Sequence, residues 1–375
     1  MKIILDNIIF NLQKSGGISA LWKEHLQRLI LNDSLELKFI HYPNNNIFSE
    51  NLDFTKDSII KKSLPIIFSR YFNINLNKEK SIFHSSYYRI SNTKHIKNIT
   101  TVHDFTYEYF GKGISKNVHL IQKKHCIKKS SWIICVSENT KKDLLHFNPK
   151  IKESSIKVIH NGVSNDFFML KTIGGVNLKS LVKFEPKSFI LYVGDRRAKY
   201  KNFKLSVISA GNVRLPLVIV GGGVLTLEER KMLNTNLGNS NFSHLSYISN
   251  SDLNILYNNA FCLIYPSLYE GFGIPIIEAQ KAGCPVISSN ISSIPEITND
   301  SALLIDNISV NEIVASMKSL LSESNLSEQI IKKGLSNSKR FSWDKTYSET
   351  MEFYKKIYEN WWVFCLNKKL IIITN

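Results

Sequence analysis

Cysteines and long apolar runs are both scarce in this chain of 375 residues. Its five cysteines are odd in number, widely spaced and form no CxxC pair. This argues against a disulfide framework and favours reduced thiols in a cytosolic protein. No segment approaches the ~20 apolar residues of a transmembrane helix, and the apolar run at residues 2–5 is too short for a signal peptide. We therefore expect a cytoplasmic protein, soluble or peripherally bound to a membrane.

Negative charge is scarce in one part of the chain. Residues 51–200 carry 27 Lys and Arg against 11 Asp and Glu, whereas residues 201–375 carry 16 against 15. A local excess of this size predicts a negatively charged partner, which could be nucleic acid, an anionic membrane surface or a phosphorylated substrate. A coding bias towards Lys and Asn would give the same excess without any partner.

Short β-rich runs alternate with helical patterns along most of the chain. The strand-like runs lie at residues 2–5, 37–41, 81–84, 98–103, 132–136, 155–159, 189–193, 217–220, 242–248, 261–265 and 285–288. This alternation predicts parallel sheets covered by helices on both faces. The chain is therefore predicted to be an α/β protein with two doubly wound, Rossmann-like domains.

The periodicity weakens between the two series of strands, and we place the domain boundary there. The predicted domains are residues 1–170 and 188–342, joined by a hinge at residues 171–187. Residues 343–375 follow as an amphipathic helix and an apolar tail. In that helix, aromatic residues and a methionine recur at spacings of three and four, at Tyr347, Met351, Tyr354 and Tyr358.

One segment, residues 265–278, carries the most chemical information. Glu270 and Glu278 lie eight residues apart around the Gly-Phe-Gly sequence at 271–273. If a helix begins near Pro275, its free N–H groups and the positive end of its dipole favour an anion in the loop. A phosphate at the helix end, with carboxylates that accept hydrogen bonds from hydroxyls, suits a nucleotide sugar.

This segment also carries a family resemblance. EGFGIPIIE at residues 270–278, followed by AGCPVI at 282–287, resembles the EX7E motif of retaining glycosyltransferase family 4. The resemblance implies the GT-B fold, in which two Rossmann-like domains face each other across a cleft. Further similar stretches span most of the chain, at residues 15–18, 83–89, 101–105, 136–141, 161–163 and 192–203. The chain most resembles bacterial O-antigen and capsule mannosyltransferase-like members.

The resemblance implies a role for each matched residue of the second domain. Lys201 and an arginine would bind the donor diphosphate. The sequence has Arg196 and Arg197 where the family usually has one arginine. We favour Arg197 for this role, and Arg196 is the second candidate. Glu270 would contact the sugar, and Glu278 would bind the ribose hydroxyls of the nucleotide. The same loop would complete the donor site with Gly271, Phe272, Gly273 and Ile274.

In the first domain, His103 at a strand end would lie near the transferred sugar. Gly16 and Gly17 would let the backbone approach the ligand, and Ser137 is predicted to cap a helix. A basic face would be attracted to an anionic leaflet. Its lysines would include Lys123, Lys124, Lys128 and Lys129.

The resemblance further implies transfer of a hexose from a nucleoside-diphosphate sugar, with GDP-mannose the first donor expected. The acceptor would be an O-antigen or capsule glycan on a lipid diphosphate, at the inner face of the bacterial cytoplasmic membrane. We expect no metal and no cofactor, because the twelve aspartates form no DxD pair. Two alternatives are a nucleotide-sugar epimerase of the same fold and a basic nucleic-acid-binding protein. The second lacks support, since we find no zinc-finger, RRM or KH signature.

Overall fold

The structure is a computed structural model that describes residues 1–50, 52, 54, 59–61 and 70–373. The chain divides into two compact units. The first consists of Met1–Asn161 with Trp343–Asn375, and the second is Gly162–Ser342. Within the described residues, none of the helices combines the length and the apolar character that crossing a membrane requires.

The first unit is built on a parallel sheet. Its described strands are β1 (Lys2–Asp6), β2 (Glu36–His41), β3 (Ile59–Lys61), β4 (Ser81–Ser85), β5 (Ile96–Val102), β6 (Trp132–Cys135) and β7 (Ile156–Val158). They pair in parallel in the order β3-β2-β1-β4-β5-β6-β7. The order reverses beside β1, and in doubly wound sheets ligands bind beyond the carboxyl ends of the strands at such a point.

The described helices between β1 and β7 cover the sheet. They are α1 (Ile9–Leu12), α2 (Gly17–Ile30), α3 (Thr106–Phe110), α4 (Gly113–Lys129) and α5 (Glu138–Phe147). Ser137 caps α5 as predicted, since its Oγ accepts a hydrogen bond from the Thr140 N–H at 3.0 Å. Trp22, Leu26 and Leu29 of α2 are buried in the core formed with β1.

The second unit repeats the architecture. Its described strands are β8 (Ile190–Val193), β9 (Leu217–Val220), β10 (Phe242–Leu245), β11 (Cys262–Tyr265), β12 (Val286–Ser289) and β13 (Leu303–Ile305). They pair in parallel in the order β10-β9-β8-β11-β12-β13, which reverses between β8 and β11. The helices are α6 (Gly175–Leu181), α7 (Phe203–Val213), α8 (Leu227–Leu237), α9 (Asn250–Asn259), α10 (Ile274–Lys281), α11 (Ile294–Thr298), α12 (Val310–Ser322) and α13 (Ser324–Ser338). The prediction of two doubly wound α/β units is confirmed.

The predicted hinge at residues 171–187 differs from what the structure places there. The unit boundary falls earlier, between Asn161 and Gly162, and the hinge region contains α6. Three asparagine side chains of α9 accept hydrogen bonds from backbone N–H groups just before and at the start of this region, with Asn254 bound to Phe168, Asn258 to Leu170 and Asn259 to Gly174. These bonds join the segment to the second unit, and sequence periodicity does not reveal them.

The last helix, α14 (Trp343–Ile373), belongs to the first unit. Of the predicted apolar positions, Met351 and Tyr354 are buried in its core, together with Phe353 and Ile357. The backbone of residues 361–373 is helical, while the side chains of that predicted apolar tail lie outside the described residues.

Candidate active site

The loop between β11 and α10 carries the predicted motif. Gly273 precedes the helix with a φ of 98°, a left-handed conformation that favours glycine. The helix begins at Ile274 with Pro275 in its first turn, as predicted. Phe272 is buried and packs edge-on against Phe341, with ring centroids 5.6 Å apart. The loop is therefore packed into the unit ahead of the first turn of α10, where Pro275 has no N–H and the Ile276 N–H donates to the Gly273 carbonyl at 3.0 Å.

Glu270 and Lys201 form an ion pair beyond the carboxyl end of β11. Lys201 Nζ lies 2.5 Å from Glu270 Oε1 and donates to Tyr265 Oη at 2.9 Å. Burial raises the pKa of Tyr265, and the Glu270 carboxylate adds to the effect, so this hydroxyl remains protonated. Both side chains of the ion pair are mostly buried, which strengthens the attraction between them.

Lys201 is positioned by the turn that follows β8. Residues Lys199–Lys201 form a 3₁₀ turn, and Asn202 ends it in the left-handed conformation with a φ of 53°. Asn202 Nδ2 donates to the Pro266 carbonyl at 2.9 Å, and the Leu268 N–H donates to the Tyr200 carbonyl at 2.7 Å. The lysine turn is therefore bonded directly to the glutamate loop.

Two serines before α11 hold Glu270 from the other side. Ser292 Oγ accepts from the Glu270 N–H at 2.9 Å, and Ser293 Oγ donates to the carbonyls of Glu270 at 2.9 Å and Phe272 at 3.1 Å. The buried Gly271 lies between these two carbonyls in sequence. Sequence reasoning did not identify the serines, because two adjacent serines in a loop form no recognisable motif.

Glu278 lies one turn inside α10 and contacts Tyr257 of α9. Tyr257 Oη donates to Glu278 Oε2 at 3.0 Å. Burial raises the pKa of Glu278 to about 7, although the Tyr257 hydrogen bond opposes the shift. Near neutral pH this carboxyl therefore exists in both protonation states. Tyr257 was also missed, because nothing in the sequence links the two helices.

The two arginines after β8 have different surroundings. The side chain of Arg196 is 0% exposed and binds Glu229 together with the carbonyls of Gly221 and Gly223. The side chain of Arg197 is 67% exposed and pairs with Asp195 through two bonds of 2.8 and 3.1 Å. Arg196 is thus committed to the glycine turn after β9, and Arg197 is the arginine accessible to a ligand.

His103 follows β5 in the first unit, where the main chain is held by a buried lysine. Lys123 of α4 donates to the Asp104 carbonyl at 2.5 Å, pairs with Glu108 at 2.9 Å and lies 3.5 Å from the centre of the Phe105 ring. Lys123 was expected on an exposed basic face, but its side chain is only 1% exposed. Its internal partners explain why this charge is absent from the surface.

His103 belongs to a cluster of neutral histidines. It lines a small cavity of about 70 Å³ with His25 and His84. Burial lowers the pKa of His25 and of His103 to about 4, and it lowers that of His84 well below its ordinary value. Tyr354 of α14 connects two of them, with its Oη 3.0 Å from His25 Nε2 and 2.5 Å from His84 Nδ1. Sequence reasoning found His103 alone.

Gly16 and Gly17 lie at the start of α2 and have unequal surroundings. A Cβ on Gly16 would come within 2.5 Å of Gln13 Oε1, whereas a Cβ on Gly17 would meet nothing within 4 Å. A side chain at position 16 would therefore displace Gln13. Position 17 has open space beside it, as a position approached by a ligand requires.

Two other features of the described part of the chain are the placement of its metal-ligating side chains and the exposure of its thiols. No group of three or more His, Cys, Asp and Glu side chains there is arranged to hold a metal ion. The described cysteines are buried free thiols at Cys126, Cys135, Cys262 and Cys284.

Two family models match consecutive parts of the chain. Residues 76–167 match the model described as Glycosyltransferase Family 4, and residues 176–337 match that of Glycosyl transferases group 1. Among curated relatives, O-antigen chain mannosyltransferase B of Escherichia coli is 39% identical over 30% of this chain and 29% of its own length. O-antigen chain mannosyltransferase RfbU of Salmonella typhimurium is 26% identical over 55% of this chain and 56% of its own. The matched regions thus span less than two thirds of these relatives.

Solved structures share the fold over nearly the whole chain. Sucrose-phosphate synthase of Thermosynechococcus elongatus superposes with a TM-score of 0.73 at 14% identity, covering 96% of this chain and 99% of that one. HepE of Anabaena, in complex with UDP and glucose, gives 0.72 at 12% identity, covering 95% and 100%. The two sheets and these likenesses define a glycosyltransferase fold of the GT-B type. The two family matches add that residues 76–167 and 176–337 are each similar to glycosyltransferases.

Proposed function

We propose that this chain transfers a hexose from a nucleoside-diphosphate sugar to a hydroxyl of a growing O-antigen or capsule glycan, with retention at the anomeric carbon. The carrying observation is the ion pair between Lys201, in the turn after β8, and Glu270, in the loop that leads into α10. A leaving diphosphate gains negative charge while the sugar becomes oxocarbenium-like. A preplaced cation, a carboxylate and helix N–H groups would stabilise both charges without reorganisation. The O-antigen mannosyltransferases among the relatives support GDP-mannose as the first donor to test.

Each residue has a separate role in this proposal. Lys201 and Arg197 stabilise the leaving diphosphate together with the N-terminus of α10. Glu270 contacts the sugar, and Glu278 accepts hydrogen bonds from the ribose hydroxyls. His103, neutral at pH 7 because of its lowered pKa, contacts the transferred sugar by hydrogen bonding rather than by charge. Transfer needs no metal ion.

A donor screen followed by product analysis tests the proposal. Of GDP-mannose, UDP-glucose and UDP-N-acetylglucosamine, we expect GDP-mannose to raise the melting temperature most. With octyl α-mannoside as acceptor, GDP release should depend on the acceptor, and NMR should show an α-linked product. A modified nucleotide sugar without a new glycosidic bond would indicate an epimerase. No response to any donor, together with salt-sensitive DNA binding, would support the nucleic-acid alternative.

We also propose that the first unit docks on an anionic leaflet of a membrane through one face of α4. This second proposal rests on the acceptor being lipid-linked. Ile114, Val118 and Ile121 are four and three residues apart, so they share a helix face, and Ile114 and Ile121 are 82% and 71% exposed. Val118 and Ile121 line a groove with the exposed Tyr71 and Phe72. The exposed lysines of this region are Lys112, Lys124, Lys128 and Lys129. An apolar stripe beside cations is typical of a helix lying in a membrane interface.

Vesicle sedimentation tests this docking face. Binding to phosphatidylcholine vesicles containing phosphatidylglycerol should fall more than tenfold in the Ile114→Asp/Ile121→Asp variant and fade at 0.5 M salt. Leu227→Asp, an equally exposed change in the second unit, should bind like the wild type. Equal binding to pure phosphatidylcholine vesicles, or unchanged binding by the double variant, would contradict the proposal.

A further inference from the structure

Tyr257 of α9 is a buried tyrosine whose hydroxyl reaches the neighbouring helix α10. Its exposed fraction is 0%, and its Oη donates to Glu278 Oε2 at 3.0 Å. The ring of Phe167, itself buried, packs edge-on against the Tyr257 ring, with centroids 5.9 Å apart. Because a buried tyrosine hydroxyl usually needs a hydrogen-bond partner, this packing ties the hydroxyl to the carboxylate.

The two oxygens of the Glu278 carboxylate have different surroundings. Oε2 is held by Tyr257, whereas no described hydrogen bond reaches Oε1. Oε1 is also not one of the buried polar atoms that lack a partner in the described part of the chain, so it is accessible to solvent. A carboxylate oxygen in this state can accept hydrogen bonds from hydroxyls. One oxygen is therefore fixed by the protein, and the other is available to a ligand.

The hydrogen bond also acts on the charge of the carboxyl group. Burial raises the pKa of Glu278 to about 7, and the bond from Tyr257 opposes that rise. Burial and the Glu278 carboxylate raise the pKa of Tyr257 well above its ordinary value, so the tyrosine remains the proton donor of the pair. If the hydroxyl were removed, burial would act without this opposition, and the pKa of Glu278 would rise above 7.

The other titratable groups described around the pair are bonded elsewhere or neutral. Lys281 lies one turn further along α10, and its Nζ donates to the Ser164 carbonyl at 3.0 Å and to Asn165 Oδ1 at 2.9 Å. Cys284 follows α10, and burial raises the pKa of its thiol to about 12, which keeps it uncharged. The α13 helix bonds to α10 through an asparagine and a glutamine, which do not titrate. Tyr257 is therefore the neighbour that sets the state of Glu278.

We propose that Tyr257 is a positioning residue of the donor site, whose hydroxyl holds Glu278 Oε2 so that Oε1 is presented to the ribose hydroxyls of the nucleotide. The same bond keeps a larger share of the carboxyl ionised at neutral pH. The contact between Glu278 and ribose belongs to the proposed function, and this inference rests on it. Tyr257 acts through Glu278 and does not itself touch the ligand.

Tyr257→Phe tests the hydroxyl while keeping the ring. GDP and UDP are titrated into the full chain by calorimetry between pH 6.5 and 9. The pH below which Kd weakens should rise by about half a unit or more in the variant. For a rise of one unit, the ionised fraction of Glu278 at pH 7 falls from about one half to about one tenth, so Kd weakens about fivefold there and recovers near pH 9. A tyrosine that only filled space would change Kd equally at every pH.

Two control variants accompany this titration. Tyr42 is a buried tyrosine of the first unit whose Oη accepts a hydrogen bond from Arg89 Nη1 at 2.9 Å. Tyr42→Phe should therefore keep the pH profile of the wild type. In a Glu278→Gln background, adding Tyr257→Phe should cause no further pH-dependent change, because the two residues act as one unit. Melting curves establish that each variant is folded.

A measurement without nucleotide separates this inference from the proposed function. Urea unfolding compares Tyr257→Phe with the Tyr257→Phe/Glu278→Gln double variant, and the wild type with Glu278→Gln. The stability difference within the first pair should continue to fall above pH 7, whereas that within the second pair should level off there.

The two measurements together decide the outcome. Nucleotide binding with a Glu278-dependent pH profile that Tyr257→Phe leaves unmoved would overturn this inference alone. An unmoved unfolding window would overturn it as well. If neither nucleotide bound while the unfolding window shifted, the hold of Tyr257 on Glu278 would be supported, and its role toward ribose would fall with the proposed function.

Discussion

The two units place different chemistry beyond the carboxyl ends of similar parallel sheets. In the second unit, Lys201 and Glu270 form a charged pair next to the point where the strand order reverses. In the first unit, His84 lies near the carboxyl end of β4 and His103 directly follows the neighbouring β5, and burial keeps both uncharged at neutral pH. The sheets thus present a charged pair in the second unit and two neutral histidines in the first, where a buried Asp6–Arg89 pair also lies at the end of β1.

If the proposed function is correct, this difference would assign the donor diphosphate to the second unit and sugar hydroxyls to the first. A diphosphate needs fixed positive charge, whereas sugar hydroxyls can be bound by neutral hydrogen-bonding groups as well as by carboxylates. The charged side chains of Lys201 and Arg197 therefore suit the donor, and the histidine cavity of the first unit suits a hydroxyl-bearing ligand. The predictions below test this separation.

The largest effect is expected from Lys201→Ala. Removing this cation takes away charge stabilisation at the diphosphate and leaves Glu270 without its partner. Loss of one preplaced electrostatic group typically costs 10²–10³ in kcat, and we expect at least this loss. Transfer assays with purified protein measure it, and Lys204→Ala, an exposed lysine on α7, is the matched control. Full activity of Lys201→Ala would show that the diphosphate binds elsewhere. It would also contradict the assignment of charged chemistry to the second unit.

A smaller, pH-dependent effect is expected from Glu278. Because its pKa is raised to about 7, the carboxyl is largely protonated below that pH in the free protein. Ribose hydroxyls bind the ionised form, so donor Kd should weaken up to tenfold per pH unit below 7 and level off above it. Calorimetry between pH 5.5 and 8.5 measures the slope, which Glu278→Gln should abolish.

The same residue makes a prediction for stability without donor. In the unfolded chain Glu278 ionises near 4.5, so between pH 4.5 and 7 the folded state holds more protons. Its contribution to the free energy of unfolding therefore falls as the pH rises through this window. Urea unfolding of wild type and Glu278→Gln should show this difference. A parallel pH dependence of both proteins would show that Glu278 is not buried enough to respond.

The comparison also shows where sequence reasoning succeeds. Alternating apolar runs predicted most strands, including the three-residue edge strand β7, whereas β3 and β13, equally short and also at sheet edges, were missed. The glycine loop and the helix start at Pro275 followed from local backbone rules. Tyr257 and Ser293 meet the site only through tertiary packing, which no local pattern encodes.

Mutation of two adjacent lysines of α4 should change the stability of the protein by very different amounts. Lys123 is buried between Glu108 and the Asp104 carbonyl, so Lys123→Ala leaves both without their partner and should lower the free energy of unfolding by about 3–5 kcal/mol. Lys124 is exposed, and Lys124→Ala should change stability by less than about 0.5 kcal/mol. Urea denaturation measures both. Lys123→Arg should recover part of the stability lost in Lys123→Ala. Equal effects of Lys123→Ala and Lys124→Ala would mean that Lys123 is not buried in the first unit.

The smallest effect is expected from metal removal. If Lys201, Arg197 and the first turn of α10 supply the positive charge that a leaving diphosphate requires, a divalent cation has no remaining role at that point. Transfer rates should then be the same in 5 mM EDTA and in 5 mM MgCl₂, measured on protein first dialysed against chelator. A rate that EDTA abolishes and MgCl₂ restores would show that the side-chain charges of the second unit are insufficient. The separation of charged and neutral chemistry between the two units would then have to include the cation.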